Sequence, residues 1–434
     1  MKEDLKNIMN QTKQFQKELE QLNKKIKNNN NQKWNNLNEL NSLKQKQKEL
    51  LNKLKEVQKK IEESSNKKNK LSEIDKELLE KQKKIEELLN EVMDEELKKL
   101  LEELEDLLKS NDKEEINKNM EELKESSEDM KNQLDRSLEM LKKLQLNEKI
   151  DDVEKELEEL SKKQEELAKQ KDKNIEEQKK INNDFKKIED KLKELQKLNK
   201  ELETPMKLED TQNDQESISE DLNKAEEQIE KNKQKKSSES QNNAAEKMDD
   251  LAQKLNSMQN SSNKQQEEED MEALRNILES LVLLSLNQES LMDKFIKVRV
   301  NDPAFRKYGR QQRRINDDTK IVRDSLMALA KRQPVLASFI DKELNSISFN
   351  QKKALEAVGD RKKKNVSVNQ QMVMTSYNNL ALLLNEVLQQ MQSQMQSQME
   401  GGGSCNKPGG KGRPKAGPKM NTGDMKEMLK NQLE

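Results

Sequence analysis

The sequence predicts an all-α protein: long antiparallel coiled-coil hairpins, then a small helical bundle, then a flexible tail. Three observations lead there. The 434 residues are 39% charged, 30% hydrophobic and 2% aromatic, whereas an ordinary globular domain is about 25% charged and about 45–50% apolar. So few apolar side chains cannot enclose a thick core along the whole length. There are only 6 Pro and 10 Gly, mostly after residue 400, and the abundant Leu, Glu, Lys and Gln are strong helix formers. Long helices with a narrow apolar seam therefore fit better than a disordered chain. Finally, apolar residues recur at alternating spacings of three and four, the heptad signature.

The elements follow in order. Residues 1–63 read as a helical hairpin. Its first helix carries Leu5, Ile8, Phe15, Leu19, Leu22 and Ile26. The run Asn28–Asn36 reads as a loop, because Asn side chains compete with the helical backbone. The return seam is Leu40, Leu43, Gln47, Leu50, Leu54, Val57 and Ile61. Ser64–Asn69 reads as another interruption, and a short loop favours antiparallel return.

Residues 70–204 read as long coiled-coil helices. One opens at Ser72, with Asp75 as an approximate capping-box partner. Its seam is Ile74, Leu78, Ile85, Leu88, Val92, Leu97, Leu100, Leu104 and Leu107. Ser110–Asp112 reads as a break with Asp112 as N-cap, followed by Ile116, Met120, Leu123, Met130, Leu134, Leu138 and Leu141. A third seam holds Ile150, Val153, Leu157, Leu160, Gln164 and Leu167, continuing through Ile181, Phe185, Ile188, Leu192, Leu195, Asn199 and Leu202. Asn199 on a seam position reads as a register-setting residue. Thr204–Pro205 ends the helix.

Residues 205–266, rich in Ser, Asn and Gln, read as weaker helices and mobile connectors. Residues 270–400 read as a bundle of about four helices. The first carries Leu274, Ile277, Leu278, Leu281, Val282, Leu284, Leu291, Met292, Phe295 and Val298, a stripe wider than a coiled-coil seam, so it needs several neighbours. Asp302 and Pro303 read as N-cap and N1 of the next, with Tyr308, Ile315, Ile321, Val322, Leu326, Leu329 and Ala330. Pro334 opens another, with Val335, Leu336, Phe339, Ile340, Leu344 and Ile347. Gly359–Asn365 is a turn. The last helix carries Val368, Met372, Tyr377, Leu380, Leu383, Leu384, Val387, Leu388 and Met391. Residues 401–434 read as a Gly/Pro/Lys-rich flexible tail with a short terminal helix.

Several function classes lack support. Net charge is −2, so no global basic field attracts nucleic acid or lipid. The chain has no His and one cysteine, Cys405, which excludes imidazole chemistry and an internal disulfide. No window reads as a transmembrane span. The first residues lack a signal-peptide apolar region and read as helix interior, so a longer parent protein is expected. The segment "GGKGRPKAGPK" never matches a P-loop spacing. No catalytic residue, metal site or cofactor is expected.

Two candidate surfaces remain. Leu281, Leu284, Met292, Phe295, Phe339, Met391 and Met395 form a candidate partner-docking face, since Met-rich stripes accept varied helices. Lys407, Lys411, Arg413, Lys415 and Lys419 are candidate electrostatic contacts. They have no interleaved aromatic for base stacking, so no specific nucleic acid is expected. "RKYGRQQRR" (Arg306–Arg314), followed by Asn316, Asp317 and Asp318, reads as self-neutralised by helix-spaced ion pairs.

The C-terminal third contains, in order, "LESLVLLSLNQESLMDKF", "NDPAF", "IVRDSLMALAKRQP", "SFIDKELNSI" and "MVMTSYNNLALLLNEVLQQMQSQM", then "SCNKPGGKG". With "NQKWNNLNELNSLKQKQKEL" and "LEDTQNDQESISEDLNKAEEQIEKNKQKKSSESQNNAAEKMDDLAQKL" upstream, this resembles a family of large Bacteroidetes proteins of unknown function. That resemblance implies a membrane anchor in an N-terminal part absent here, long coiled coils, and a place at the cell envelope, with the coiled coil in the periplasm. It offers no catalytic residues to carry over. The expectation is a non-catalytic scaffold acting by reach and helix docking, with protein partners or self-association. The alternative is an accessory region of an ATPase or other enzyme whose catalytic part lies outside this chain.

Overall fold

In the computed structural model the described residues are 2–28, 33–68, parts of 83–90, 96–110, 112–170, 174–333 and 336–401. They hold α1 (Lys2–Asn28), α2 (Lys33–Lys68), α3 (Glu96–Ser110), α4 (Lys113–Lys169), α5 (Ile175–Lys200), α6 (Gln212–Glu230), α7 (Gln234–Lys297), α8 (Pro303–Arg332), α9 (Ala337–Gly359) and α10 (Lys363–Gly401). No strand occurs among the described residues, and the all-α class stands.

The helices close into three successive rings of four. In the first, α1 packs on α2, α2 on α3, α3 on α4, and α4 back on α1. The second runs α4, α5, α6, α7 and closes through α4 against α7. The third runs α7, α8, α9, α10 and closes through α10 against α7. Helices α4 and α7 thus each belong to two rings. Each ring has its own apolar core. The first spans Leu5 to Leu144, the second Leu146 to Leu255, and the third Met271 to Leu388. The expected two-helix hairpins are therefore sides of four-helix rings, because a narrow seam buries more surface among three neighbours than against one.

Local signals explain many boundaries. The α1–α2 hairpin is laced by Lys25–Glu39 and Lys46–Glu18 at 2.5 Å, Lys53–Gln11 at 3.0 Å and Lys60–Asp4 at 2.8 Å. Each link is seven residues further along α2 and seven further back along α1, as a heptad-spaced antiparallel pair requires. These exposed contacts mark register more than they add stability. Asp112 caps α4, accepting from the Glu114 and Glu115 amides. Asp302 caps α8, accepting from Ala304 N at 2.8 Å, with Pro303 at the first turn. Both match expectation.

Other boundaries differ. Helix α1 ends at Asn28 and α2 runs from Lys33 to Lys68, so the break falls within the expected Asn28–Asn36 stretch but Lys33–Asn36 and Ser64–Lys68 are helical; residues 29–32 and 69 lie outside the described residues. Asn and Ser cost only about 0.7 kcal/mol or less per helical residue, and seam burial outweighs that. The opening at Ser72 with Asp75, and seam residues Ile74, Leu78, Leu88 and Val92, lie outside the described residues. Helix α4 is continuous for 57 residues and ends at Lys169, and Asn174 caps α5 by accepting from Glu176 N, so the seam expected to continue from Leu167 to Ile181 is divided between two helices.

Residues 205–266 hold helices and connectors, as expected: the connector 205–211, α6, a short turn, and the first half of α7, which runs unbroken for 64 residues. The Ser- and Ala-rich stretch packs tightly because its side chains are small. Ala244 and Ala245 are buried, Ser161 Oγ donates to Ala245 O at 3.0 Å, and Ser238 Oγ donates to Ala168 O at 3.1 Å. Seam residue Asn199 is buried but does not pair across a coiled coil. It grips the connector backbone, donating to Met206 O at 2.8 Å and accepting from Met206 N at 2.7 Å.

Two rings contain the same buried arrangement of three glutamines. Gln164 and Gln178 exchange amide bonds at 3.1 and 3.2 Å, and Gln241 of α7 donates to Gln178 at 2.8 Å. Gln288 and Gln312 exchange bonds at 3.0 and 2.9 Å, and Gln370 of α10 donates to Gln312 at 2.8 Å. In each triad the reciprocal pair joins consecutive helices and the third member comes from the helix that closes the ring. Replacing Gln178 with Leu strands the buried amides of Gln164, Gln241 and Asn182, which accepts from Gln178 at 3.0 Å, and is expected to cost about 1–3 kcal/mol in urea unfolding. Replacing Gln164, Gln178 and Gln241 together with Leu is expected to recover part of that loss, because only the Asn182 carbonyl is then left without its donor.

Candidate contact surfaces and the polar interface between rings

The candidate docking face is largely internal. Leu281, Leu284 and Phe295 are buried in the third-ring core, and Met391 and Met395 pack against it half-buried. Met292 is also half-buried. The Phe339 side chain and the tail residues Lys407, Lys411, Arg413, Lys415 and Lys419 lie outside the described residues. The wide stripe of α7 thus lies in the third-ring core, between α8 and α10 of the same chain. Phe295 shows how: its ring meets Phe305 and Tyr308 edge-on, with centroids 5.2 and 5.9 Å away, a favoured aromatic geometry.

The apolar side chains that do face outward are others. Val282, Leu283, Leu286 and Ile296 on α7, Ile321 on α8, and Val368, Met372 and Leu382 on α10 are each roughly half exposed or more. Val282, Ile321, Val368 and Met372 were expected in the core. Their positions fit a helical pattern about as well as their buried neighbours do, so sequence spacing does not separate them. The basic run on α8 also departs from expectation. Asp317 pairs with Lys320 at 3.0 Å, one turn beyond Arg313, and the five cations from Arg306 to Arg314 are exposed.

The first and third rings lie side by side through a polar interface between α4 and the pair α8–α9. Arg136 is 1% exposed and forms a forked pair with Asp341, at 2.8 Å from Nη1 and 2.7 Å from Nη2. Arg136 Nη2 also contacts Met327 Sδ at 3.3 Å. Around this pair, Asp129 accepts from Asn345 at 2.6 Å, Glu128 from Arg323 at 3.2 Å, and Asp135 from Lys331 at 2.6 Å. Glu121 pairs with Lys352. Burial pushes the Asp129 carboxyl up to about 7, helped by the charge of Asp341. Burial pushes Glu125 up to about 7 as well, with Glu121 and Glu122 adding repulsion.

All three rings meet at the connector between α5 and α6. Glu201 pairs with Lys2 of α1 at 2.5 Å, Glu203 with Lys331 of α8 at 2.6 Å, and Glu203 N donates to Glu139 of α4 at 2.6 Å. Lys207 N donates to Ser262 of α7 at 3.1 Å. Near this junction, Asp270 on α7 is fully buried and accepts from Arg332 Nε and Gln333 Nε2, both at 2.8 Å. Sequence reasoning missed Arg136, Asp341 and Asp270. In a chain this rich in charge, "EEED" and "LDRS" carry no mark that one member is buried.

A shallow depression of about 280 Å³ lies between α1 and α4, lined by Gln16, Glu20, Asn23, Lys124, Ser127 and Lys131 among others. It offers amides, amines and carboxylates, a lining suited to water and ions rather than to an apolar ligand. No group of three acidic or Cys side chains poised for a metal occurs among the described residues, and no described helix is long and apolar enough to cross a membrane. Comparison with protein-family models, with curated proteins and with solved structures finds no match.

Replacing Arg136 with Met is expected to destabilise the protein by about 3–5 kcal/mol, because Asp341 is left buried without its partner. The double replacement Arg136→Met with Asp341→Leu is expected to restore most of this in denaturant unfolding. Asp129 and Glu125 predict a pH dependence. In the unfolded chain they titrate near 4, so between about 4 and about 7 the folded state holds more protons. Their stabilising contribution is complete below about pH 4 and is lost as pH rises through about 7. Melting temperature is expected to fall over that window, and Glu125→Gln with Asp129→Asn is expected to flatten the fall and raise stability at alkaline pH.

Proposed function

We propose that this chain is a non-catalytic scaffolding part of a bacterial cell-envelope protein, acting by reach and by docking of helices. The observation that carries the reading is the pair of unbroken helices that join the rings. Helix α4 has 57 residues and α7 has 64, so they are about 86 and 96 Å long at 1.5 Å per residue. Because each is packed in two rings, neither can bend freely. Rigid length with an antiparallel return suits a spacer between partners. The outward apolar positions Val282, Leu283, Leu286 and Leu382 supply places where a partner helix gains burial. The resemblance to membrane-anchored Bacteroidetes proteins supports the envelope assignment, with the membrane reached through an N-terminal part outside this chain.

Cell fractionation of the full-length gene product tests this. It is expected in the membrane fraction, and to stay there through washes in high salt and alkaline carbonate, as an anchored protein does. The purified chain is expected not to hydrolyse ATP. Recovery in the soluble cytoplasmic fraction, or ATP turnover by the chain, would refute the reading.

A further inference from the structure

The end of the third ring formed by the α7–α8 corner and the α9–α10 turn concentrates positive charge. From Lys294 to Arg314 there are eight Lys or Arg residues and a single carboxylate, Asp302. That carboxylate is occupied in capping α8 through Ala304 N. On α8, Arg306, Lys307, Arg310, Arg313 and Arg314 are all exposed. At 100° per residue they fall within an arc of about 120°, so they form one face over the first turns of the helix. None of the five has an ion-pair partner among the described residues. In a protein whose other cations are so often paired, and whose net charge is −2, this is a concentrated field on one end.

The turn from α9 to α10 adds to it. Lys363 reaches across and donates to Ile296 O at 2.5 Å and Val298 O at 3.0 Å, closing the C-terminal end of α7. Beside it stand exposed Arg361 and Lys364, with Lys362 paired to Asp360 at 3.0 Å. Arg361 adopts φ 59°, a left-handed conformation that few non-Gly residues accept. It lets the chain reverse there without a glycine at that position.

In this run sits Ile296, 51% exposed, with Lys294 two residues before it, Lys297 directly after it and exposed Asp293 one turn back. Cations around an exposed branched apolar side chain match a lipid surface. Phosphate headgroups satisfy the charges, and the acyl boundary just below takes the hydrocarbon. Nucleic acid would satisfy the cations but leave Ile296 in water. It would also want an aromatic platform, and the rings near this end are engaged elsewhere: Phe305 is buried and Tyr308 packs on Phe295. We propose that this end of the third ring is a membrane-contact surface that docks on anionic lipid headgroups through the α8 cation face, with Ile296 entering the headgroup–acyl boundary. The contact belongs to the chain itself and needs neither an anchor elsewhere nor the scaffold reading above.

Co-sedimentation of the purified full chain with vesicles tests the proposal. Phosphatidylcholine vesicles are compared with phosphatidylcholine–phosphatidylglycerol vesicles, and duplex DNA is the competing polyanion. Binding is expected only to vesicles containing phosphatidylglycerol, and to be released by about 0.5 M salt, which shortens the screening length to a few ångströms. Salt-sensitive release separates this contact from the carbonate-resistant anchoring tested above. The variant Arg306→Glu/Arg310→Glu/Arg313→Glu is expected to bind at least about tenfold more weakly with an unchanged helical melt, since all three side chains are exposed. Ile296→Ser is expected to weaken vesicle binding while leaving any DNA retention unchanged. Deleting 402–434 is expected to leave vesicle binding intact. Four results would each overturn the proposal: no binding to anionic vesicles, binding untouched by the triple reversal, binding lost with the tail, or DNA bound more tightly than vesicles with Ile296 irrelevant.

Discussion

The structure depends on one stretch of α4 that is buried on every side. Arg136, Ser137, Leu138, Glu139, Met140 and Leu141 are consecutive and all buried. A helix with one ring of neighbours shows a stripe; a helix buried all round has neighbours everywhere. This is where the three rings meet. Leu138 and Leu141 serve the first core, Arg136 reaches Asp341 of the third, and Glu139 holds the connector that borders the second. Burying Arg136 and Glu139 would be prohibitive for lone charges. It is tolerated because each has a partner: Asp341 for Arg136, and the Lys142 ammonium with the Glu203 amide for Glu139.

From that junction the rest follows. A straight helix shared by two cores must turn its apolar face from one set of neighbours to another, and α4 does so between Leu144 and Leu146, the last residue of one core and the first of the next. In α7 the equivalent handover is longer. The polar segment between Leu255 and Met271 separates its two cores, and there Asp270 binds the end of α8. Leucine seams alone would permit slippage by a heptad, since every seven-residue shift presents the same face. The two glutamine triads and the Thr319–Tyr377–Gln351 cluster, with Tyr377 Oη bonded at 2.5 and 2.6 Å, leave polar groups stranded in any other register. Burial pushes the Tyr377 phenol up, so it stays a neutral hydrogen-bonding group. Polar groups of this kind select one arrangement more than they add to stability.

The same division governs what the surface can do. The apolar stripe that the sequence advertises most loudly is consumed inside the third ring. Among the described residues, what faces outward includes a thin set of half-exposed apolar residues and a dense cationic end, on a frame braced by two long helices. A frame of this kind holds positions and distances. Within it, the α4 interface to α8 and α9 is made of polar pairs, and two carboxylates there, Glu125 and Asp129, are shifted toward neutrality. It therefore responds to protons, whereas the apolar ring cores do not.

Much was legible in the residues themselves. Composition and three–four spacing dictate helices. The seams Leu40–Ile61, Ile116–Leu141 and Ile150–Leu167 are buried as their spacing requires, because a helix has only one face that its apolar residues can share. Asp112 and Asp302 cap helices because that chemistry is local. Other features are decided only when distant helices meet. Spacing could not tell Val282 from Leu281, or Val368 from Val366, since the buried arc depends on how many neighbours arrive and from where. Nor could it show that residues 205–266 pack firmly, since small and polar side chains look weak until a partner backbone comes close enough to bond them. Arg136, Asp270 and Asp341 were hidden among dozens of solvated charges, for a charge becomes structural only through the partner across the interface. The heptad pattern thus determined that helices form and which side they hide, while tertiary contact decided how many gather in each ring and which charges go inside.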